Sequence, residues 1–217
     1  MHIVWDWNGT LFDDFGIVVG AVNDSLAVLN APPIGPEQYR DHYARPVHRF
    51  YDGLLGRPIT DHELVLVNEE FFAAYGRRRH EGALAAEADA ALDLVAAGGG
   101  TQSVLSMAPH DDLVAETERF GVAAYMALIE GNSGPAGGPK SGLLRTHLAT
   151  LQRQLPGLRR EDIKVVGDTL DDAGAASDSG VDAVLYDGGS HHPTHLAAAG
   201  VPVVASLVAA VRLVGTT

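Results

Sequence analysis

The chain has 217 residues, 46% of them hydrophobic and 20% charged, enough for one sizeable core or a core with a small accessory domain. Its formal net charge of −13 repels a phosphate backbone, and no basic run is longer than Arg77-Arg78-Arg79. Nucleic acid is therefore not expected as a partner, although a small anion could still enter a locally positive pocket. The absence of cysteine removes disulfides, thiolate metal sites and cysteine nucleophiles together, and is compatible with a cytoplasmic protein.

In chain order, an apolar strand begins at His2, with no basic and apolar leader ahead of it, so no secretory signal is expected. It runs into "VWDWNGTLFDD", residues 4 to 14, where Asn8-Gly9 follows an apolar run ending in Asp6. Asn-Gly between apolar stretches is a strong hairpin signal, because both residues tolerate positive φ. The alternative is a catalytic loop with Asp6 as its working group. About ninety residues then separate Asp6 from the next strand, "QSVLSM", where a dozen or so would complete a crossover. The intervening "IVVGAVNDSLAVL" and "HELVLVNEEFFAAYG" have helical periodicity, with breaks at Pro32-Pro33, Pro46 and Arg57-Pro58. We read an α-helical cap over 16–80 inserted into a core formed by 1–15 and 81–217.

Beyond the cap, helical stretches are expected at Leu84–Ala97, Asp111–Phe120 and Lys140–Gln154, with a last helix near Ser206–Val214. They alternate with the short β-branched runs "QSVLSM", "DIKVVGD", "DAVLYD" and "GVPVVAS". Strand and helix in repeated order imply an α/β fold, a doubly wound parallel sheet of Rossmann-like character. "GNSGPAGGPKSG" is the most loop-like segment. The apolar stretch near the end is short and interrupted by Arg212, so no membrane span is expected.

Ligands of open parallel sheets bind beyond the carboxyl ends of the strands. Those ends carry Asp6, Ser106, and Asp168 with Asp172 in "VVGDTLDD", while Lys140 opens the helix before this last strand. Each alone has an ordinary explanation, as a cap, a loop residue or a solvated charge. Three carboxylates, a hydroxyl and an ammonium on one edge suggest instead a Mg²⁺ site for a phosphoryl group, since hard oxygen ligands suit that ion.

"DWNGTL" from Asp6, Ser106 in "VLSM", Lys140 in "GPKSG" and "GDTLDD" from Gly167 together resemble the four motifs of the haloacid dehalogenase (HAD) superfamily, and within it the phosphoglycolate-phosphatase-like group with a helical cap. The resemblance implies a hydrolase of phosphoric monoesters in which Asp6 is the nucleophile. It implies Mg²⁺ held by Asp6, the Asn8 carbonyl and Asp168, with Asp172 as a further ligand or a partner of one. Ser106 would bond a phosphoryl oxygen and Lys140 would offset negative charge. The loop residues Trp7, Gly9 and Thr10, and Met107 beside Ser106, would line the substrate. The cap would choose the substrate, with Arg45 or Arg49 as its anion contact.

Asn8 departs from the pattern, because most phosphatases of the superfamily have a second Asp there, and an amide cannot shuttle a proton. One reading is a phosphatase whose proton comes from elsewhere or whose leaving group needs none. A second is carbon–phosphorus or carbon–halogen cleavage. There is no lysine between residues 15 and 100 for a Schiff base, and Asp168 and Asp172 argue against a metal-free dehalogenase. The third is a phospho-ligand-binding relative with weak or no turnover. Deamidation of Asn8 would restore the usual motif, but a rigid loop suppresses it. His110 is read as a capping or solvated residue, and His191, His192 and His195 as a solvated loop. The expected partner is a small phosphorylated substrate, without nucleic acid or membrane, for a monomer or homodimer.

Overall fold

The structure is a computed structural model that describes residues 1–133 and 139–215; residues 134–138 of the glycine-rich stretch lie outside the described residues. The chain begins with β1 (His2–Trp5) and β2 (Phe12–Asp13), followed by four helices, α1 (Phe15–Val28), α2 (Pro36–His42), α3 (Val47–Leu55) and α4 (Asp61–Arg78). There follow β3 (Ala83–Leu84), α5 (Ala88–Ala97), β4 (Thr101–Pro109), α6 (His110–Arg119), β5 (Met126–Asn132) and α7 (Lys140–Gln154). The chain continues through β6 (Ile163–Gly167), α8 (Leu170–Ser179), β7 (Asp182–Tyr186), α9 (Pro193–Leu196), β8 (Val203–Val204) and α10 (Leu207–Val214). Two compact units result, one of residues 1–13, 84–189 and 193–217, the other of 14–83 and 190–192.

In the first unit a six-stranded sheet has the order β5-β4-β1-β6-β7-β8, and its neighbouring strands run parallel. Central β1 is buried along its whole length, as its apolar run requires when both faces are covered. Ile3 and Trp5 join Leu92, Val95, Val104, Leu113, Leu207 and Val211 on one face. Val4 turns to the other, with Leu105, Leu144, Leu148, Leu151 and Val165. The α/β, doubly wound reading is thereby met. The winding direction reverses around β1, which puts the topological switch point, where such sheets bind ligands, at the carboxyl end that carries Asp6.

One strand went unread in the sequence, one helix start moves, and of the two readings of Asn8-Gly9 the hairpin falls. β5 was not legible, because this edge strand has a single neighbour and its "MALIEGN" is mostly half-exposed rather than continuously apolar. The helix expected from Leu84 begins at Ala88, since Leu84 lies in the short strand paired with β2 and Glu87 takes a left-handed φ of 63°. Asn8-Gly9 makes no two-strand hairpin: Gly9 has φ 75°, its N–H donates to the Phe12 carbonyl at 2.9 Å, and the Phe12 N–H returns to the Trp7 carbonyl at 2.9 Å. The tight loop closes on itself within the six residues Trp7 to Phe12.

In the second unit, α1 packs on α4 around Val19, Val22, Leu26 and Val67, together with Tyr39, Phe50 and Tyr51 of α2 and α3. Thr60 caps α4, accepting from the Glu63 N–H, while the Glu63 carboxylate accepts from the Thr60 N–H, so two orphan donors are satisfied reciprocally.

Candidate active site

The switch point gathers five side chains, each on or just after a different element. Asp6 directly follows β1, its N–H donating to the Val166 carbonyl at 2.8 Å, so its position is an extension of the sheet ladder. Ser106 lies within β4, Asp168 directly follows β6, Asp172 sits in the first turn of α8 and Lys140 is the first residue of α7. Asp168 and Asp172 are fully buried and Asp6 is 7% exposed. One carboxylate oxygen from each of the three lies within 4.8 Å of the others.

Lys140 Nζ bridges two of these acids, at 2.5 Å from Asp6 Oδ1 and 2.5 Å from Asp172 Oδ1. The other oxygen of Asp172 accepts from the Thr169 N–H at 3.0 Å and from its hydroxyl at 2.6 Å. This capping box at the start of α8 locks the carboxylate's orientation. Thr10 Oγ1 donates to Asp168 Oδ1 at 3.3 Å, and Ser106 Oγ donates to Asn8 Oδ1 at 3.3 Å. The Ala108 N–H donates back to Ser106 Oγ at 3.0 Å.

Electrostatics set the site apart from an ordinary ion pair. Burial above all, opposed by Lys140 and aided by the neighbouring Asp172 and Asp168, leaves the Asp6 carboxyl pushed up to about 8. Burial also opposes the charge of Lys140, yet Asp172 and Asp6 outweigh it and hold the ammonium above its ordinary range. One cation thus faces three buried carboxylates. All-oxygen donors in negative excess fit a hard divalent cation such as Mg²⁺.

The packing leaves no room for larger residues around these acids. A Cβ on Gly9 or Gly189 would collide with the Asp168 carboxylate, and one on Gly167 with that of Asp172. Trp7 points its indole away into the core, stacking on Phe12 with centroids 5.4 Å apart and donating from Nε1 to Glu116 at 2.8 Å. Its part in any substrate contact is therefore restricted to the main chain. Met107 is half-buried just beyond Ser106. Arg45 and Arg49 are exposed in the second unit, where Arg45 Nε donates to the Tyr43 hydroxyl at 3.3 Å. His110 opens α6, and its Nδ1 accepts from the Gly131 N–H at 3.2 Å. His191 is buried rather than solvated, its ring edge-on to Tyr43 with centroids 4.6 Å apart. Sequence reasoning missed Thr169, Gly167, Gly189 and Glu116. Only the first carried a signal, Thr-x-x-Asp at the mouth of a helix.

Residues 135–210 match a family model described as HAD-hydrolase-like. Solved structures match over the full length. A "predicted phosphatase" from Clostridium acetobutylicum is 16% identical, with a TM-score of 0.83 over 100% of this chain and 98% of that one. The fold is haloacid dehalogenase-like. A haloacid dehalogenase-like family hydrolase from Streptococcus pneumoniae is 15% identical, with a TM-score of 0.82 over 98% and 97% of the two chains. Protein tyrosine kinase A from Mycobacterium tuberculosis is 20% identical, with a TM-score of 0.78 over 99% and 97%. No curated protein matches the sequence. Proteins of this HAD-like fold thus include some named for removing phosphoryl groups and one named for transferring them.

Proposed function

We propose that the protein is a Mg²⁺-dependent phosphatase that hydrolyses a small phosphorylated metabolite through an aspartyl-phosphate on Asp6. The observation that carries this reading is the buried Asp6–Asp168–Asp172 cluster with Lys140 spanning Asp6 and Asp172. An Asp6 carboxylate oxygen attacks phosphorus as the bond to the leaving oxygen breaks. Water then attacks the phosphorus of the acyl phosphate, releasing inorganic phosphate and regenerating Asp6. Asp6, Asp168, Asp172 and the Asn8 carbonyl would hold the Mg²⁺, which supplies charge neutralisation for the phosphoryl oxygens. Ser106 and the main chain of Trp7 to Thr10 orient those oxygens, and Lys140 opposes the effect of burial on Asp6, drawing its carboxyl toward the ionised form that attacks.

A specific residue favours a second reading, binding of a phosphorylated ligand with little turnover. Asn8 carries no exchangeable acid, and general acid–base catalysis contributes about 10²- to 10⁴-fold. Leaving groups that depart as stable anions do not need that help, so aryl and acyl phosphates belong in the substrate panel. Arg45 and Arg49 are the candidates for gripping a second anionic group of the substrate. We read the partner as a small molecule rather than nucleic acid or membrane, and the protein as a cytoplasmic monomer or homodimer. Among the described residues, no helix is long and apolar enough to cross a membrane.

Phosphate release from a metabolite panel with Mg²⁺, measured for the natural protein and for Asp6→Asn, tests the proposal. The expected result is Mg²⁺-dependent release that the substitution abolishes. Equal, slow release from both proteins defeats the enzyme reading and leaves ligand binding.

A further inference from the structure

Behind the site, a second group of polar side chains is buried in the core and takes no part in the chemistry above. His2 of β1, Ser103 of β4 and His147 of α7 are each 0% exposed. They form a continuous chain. His2 Nδ1 lies 2.7 Å from Thr101 Oγ1, and His2 Nε2 lies 2.9 Å from Ser103 Oγ. Ser103 Oγ in turn lies 2.8 Å from His147 Nε2, and His147 Nδ1 lies 2.9 Å from Glu130 Oε2 on β5. Hydroxyl, imidazole and carboxylate in that order have the geometry of a nucleophile, base and orienter. A fully buried Ser103 meets no substrate, however, so the chain's role lies elsewhere.

The hydrogen-bond inventory fixes how the chain can be satisfied. The ionised Glu130 accepts, so His147 Nδ1 donates. With His147 neutral, its Nε2 accepts the Ser103 hydroxyl proton, His2 Nε2 donates to Ser103, and Thr101 donates to His2 Nδ1. With His147 protonated, the bonds beyond it reverse direction, and Ser103 donates to His2 while His2 Nδ1 donates to Thr101. In both arrangements His147 remains bonded on both sides.

What those bonds hold is α7. Its buried face is Leu144, His147, Leu148 and Leu151; leucine packing is non-directional, whereas His147 has two partners at fixed geometry on two strands. Lys140 and His147 are seven residues apart, about two turns and ~10.5 Å along one face of the helix. Ser103 and Ser106 are three residues apart, about 10 Å along β4. The helix of a parallel-sheet crossover runs back against its strands. Bonding His147 to Ser103 therefore brings the first residue of α7 level with Ser106 and the carboxyl ends of the strands.

We propose that His147 and Ser103, backed by His2 and Glu130, are positioning residues that set the axial register of α7 and so place Lys140 Nζ between Asp6 and Asp172. The effect on turnover rests on the phosphatase reading; the placement of Lys140 does not. The sequence contains two lysines, Lys140 and Lys164, so lysine-selective ¹⁵N labelling gives one ammonium signal for each, assigned with Lys140→Met. In the natural protein the Lys140 signal should show slow proton exchange. In a folded His147→Leu protein that protection should be lost, with kcat for an aryl phosphate down tenfold or more and KM within twofold. His147→Gln, which can keep one bond, should recover part of both.

If His147→Leu lowers the unfolding temperature but leaves the Lys140 signal and kcat unchanged, the residues are merely structural and the inference is overturned. If the Lys140 signal depends on His147 while the natural protein releases no phosphate, the phosphatase reading fails and the register clamp stands. Should His147→Leu not fold, Ser103→Ala, which removes one hydroxyl, carries the same measurements with the same deciding outcomes.

Discussion

Asn8 is where a single residue decides most. It follows Asp6 by two positions in a loop whose main chain is fixed by the Gly9 and Phe12 hydrogen bonds, and its side-chain oxygen accepts from Ser106. An aspartate would preserve that acceptor and add a group able to move a proton. Asn8→Asp should therefore raise kcat for an alkyl phosphate by about 10²-fold, since an alkoxide leaves poorly unprotonated. The rate for an aryl phosphate should change much less. Steady-state kinetics on the two substrates check this. A loss of rate on both would show that the amide is fitted to the natural reaction, with the second acid an intruder.

At the scale of elements, the start of α8 does two jobs. Thr169 caps the helix through the Asp172 N–H at 3.3 Å, and the same pair orients the Asp172 carboxylate toward Lys140. Thr169→Ala should lower stability by about 1 kcal/mol, the usual cost of a lost N-cap. It should also weaken Mg²⁺ binding, because Asp172 Oδ2 loses one of its two donors. Thr169→Ser should restore both properties, as denaturation and Mg²⁺ titration calorimetry would show. The signal for this capping box stood unread in "TLDD", whereas the acids at the ends of apolar runs were read, because a parallel strand announces its carboxyl end in sequence. β5 escaped notice because an edge strand lacks the two-sided apolar run. Gly189 and Glu116 escaped because their partners, Asp168 and Trp7, are remote along the chain, and no local period records a pairing closed by tertiary structure. The same holds for the Ser103–His147 bond, whose members lie 44 residues apart.

Across the whole molecule, the buried polar chain ties stability to pH. Burial holds His2 down to about 4 from the ordinary 6.5, with smaller contributions from His147 and the N-terminal ammonium. Between those two values the unfolded chain takes up a proton that the folded protein refuses, so unfolding gains on folding as pH falls. The contribution of His2 is complete above about pH 6.5 and is lost progressively toward pH 4. At about 1.4 kcal/mol per unit, it amounts to on the order of 3 kcal/mol. Carboxylates titrate in the lower part of this window too, so the comparison must be with a variant rather than with a single curve. Urea denaturation of the natural protein and of His2→Gln between pH 7 and 4 should show the natural protein losing more stability. The difference should open from pH 6.5 downward. Parallel curves would mean that His2 takes its proton in the folded state as readily as in the unfolded one, through a relay that rearranges rather than resists.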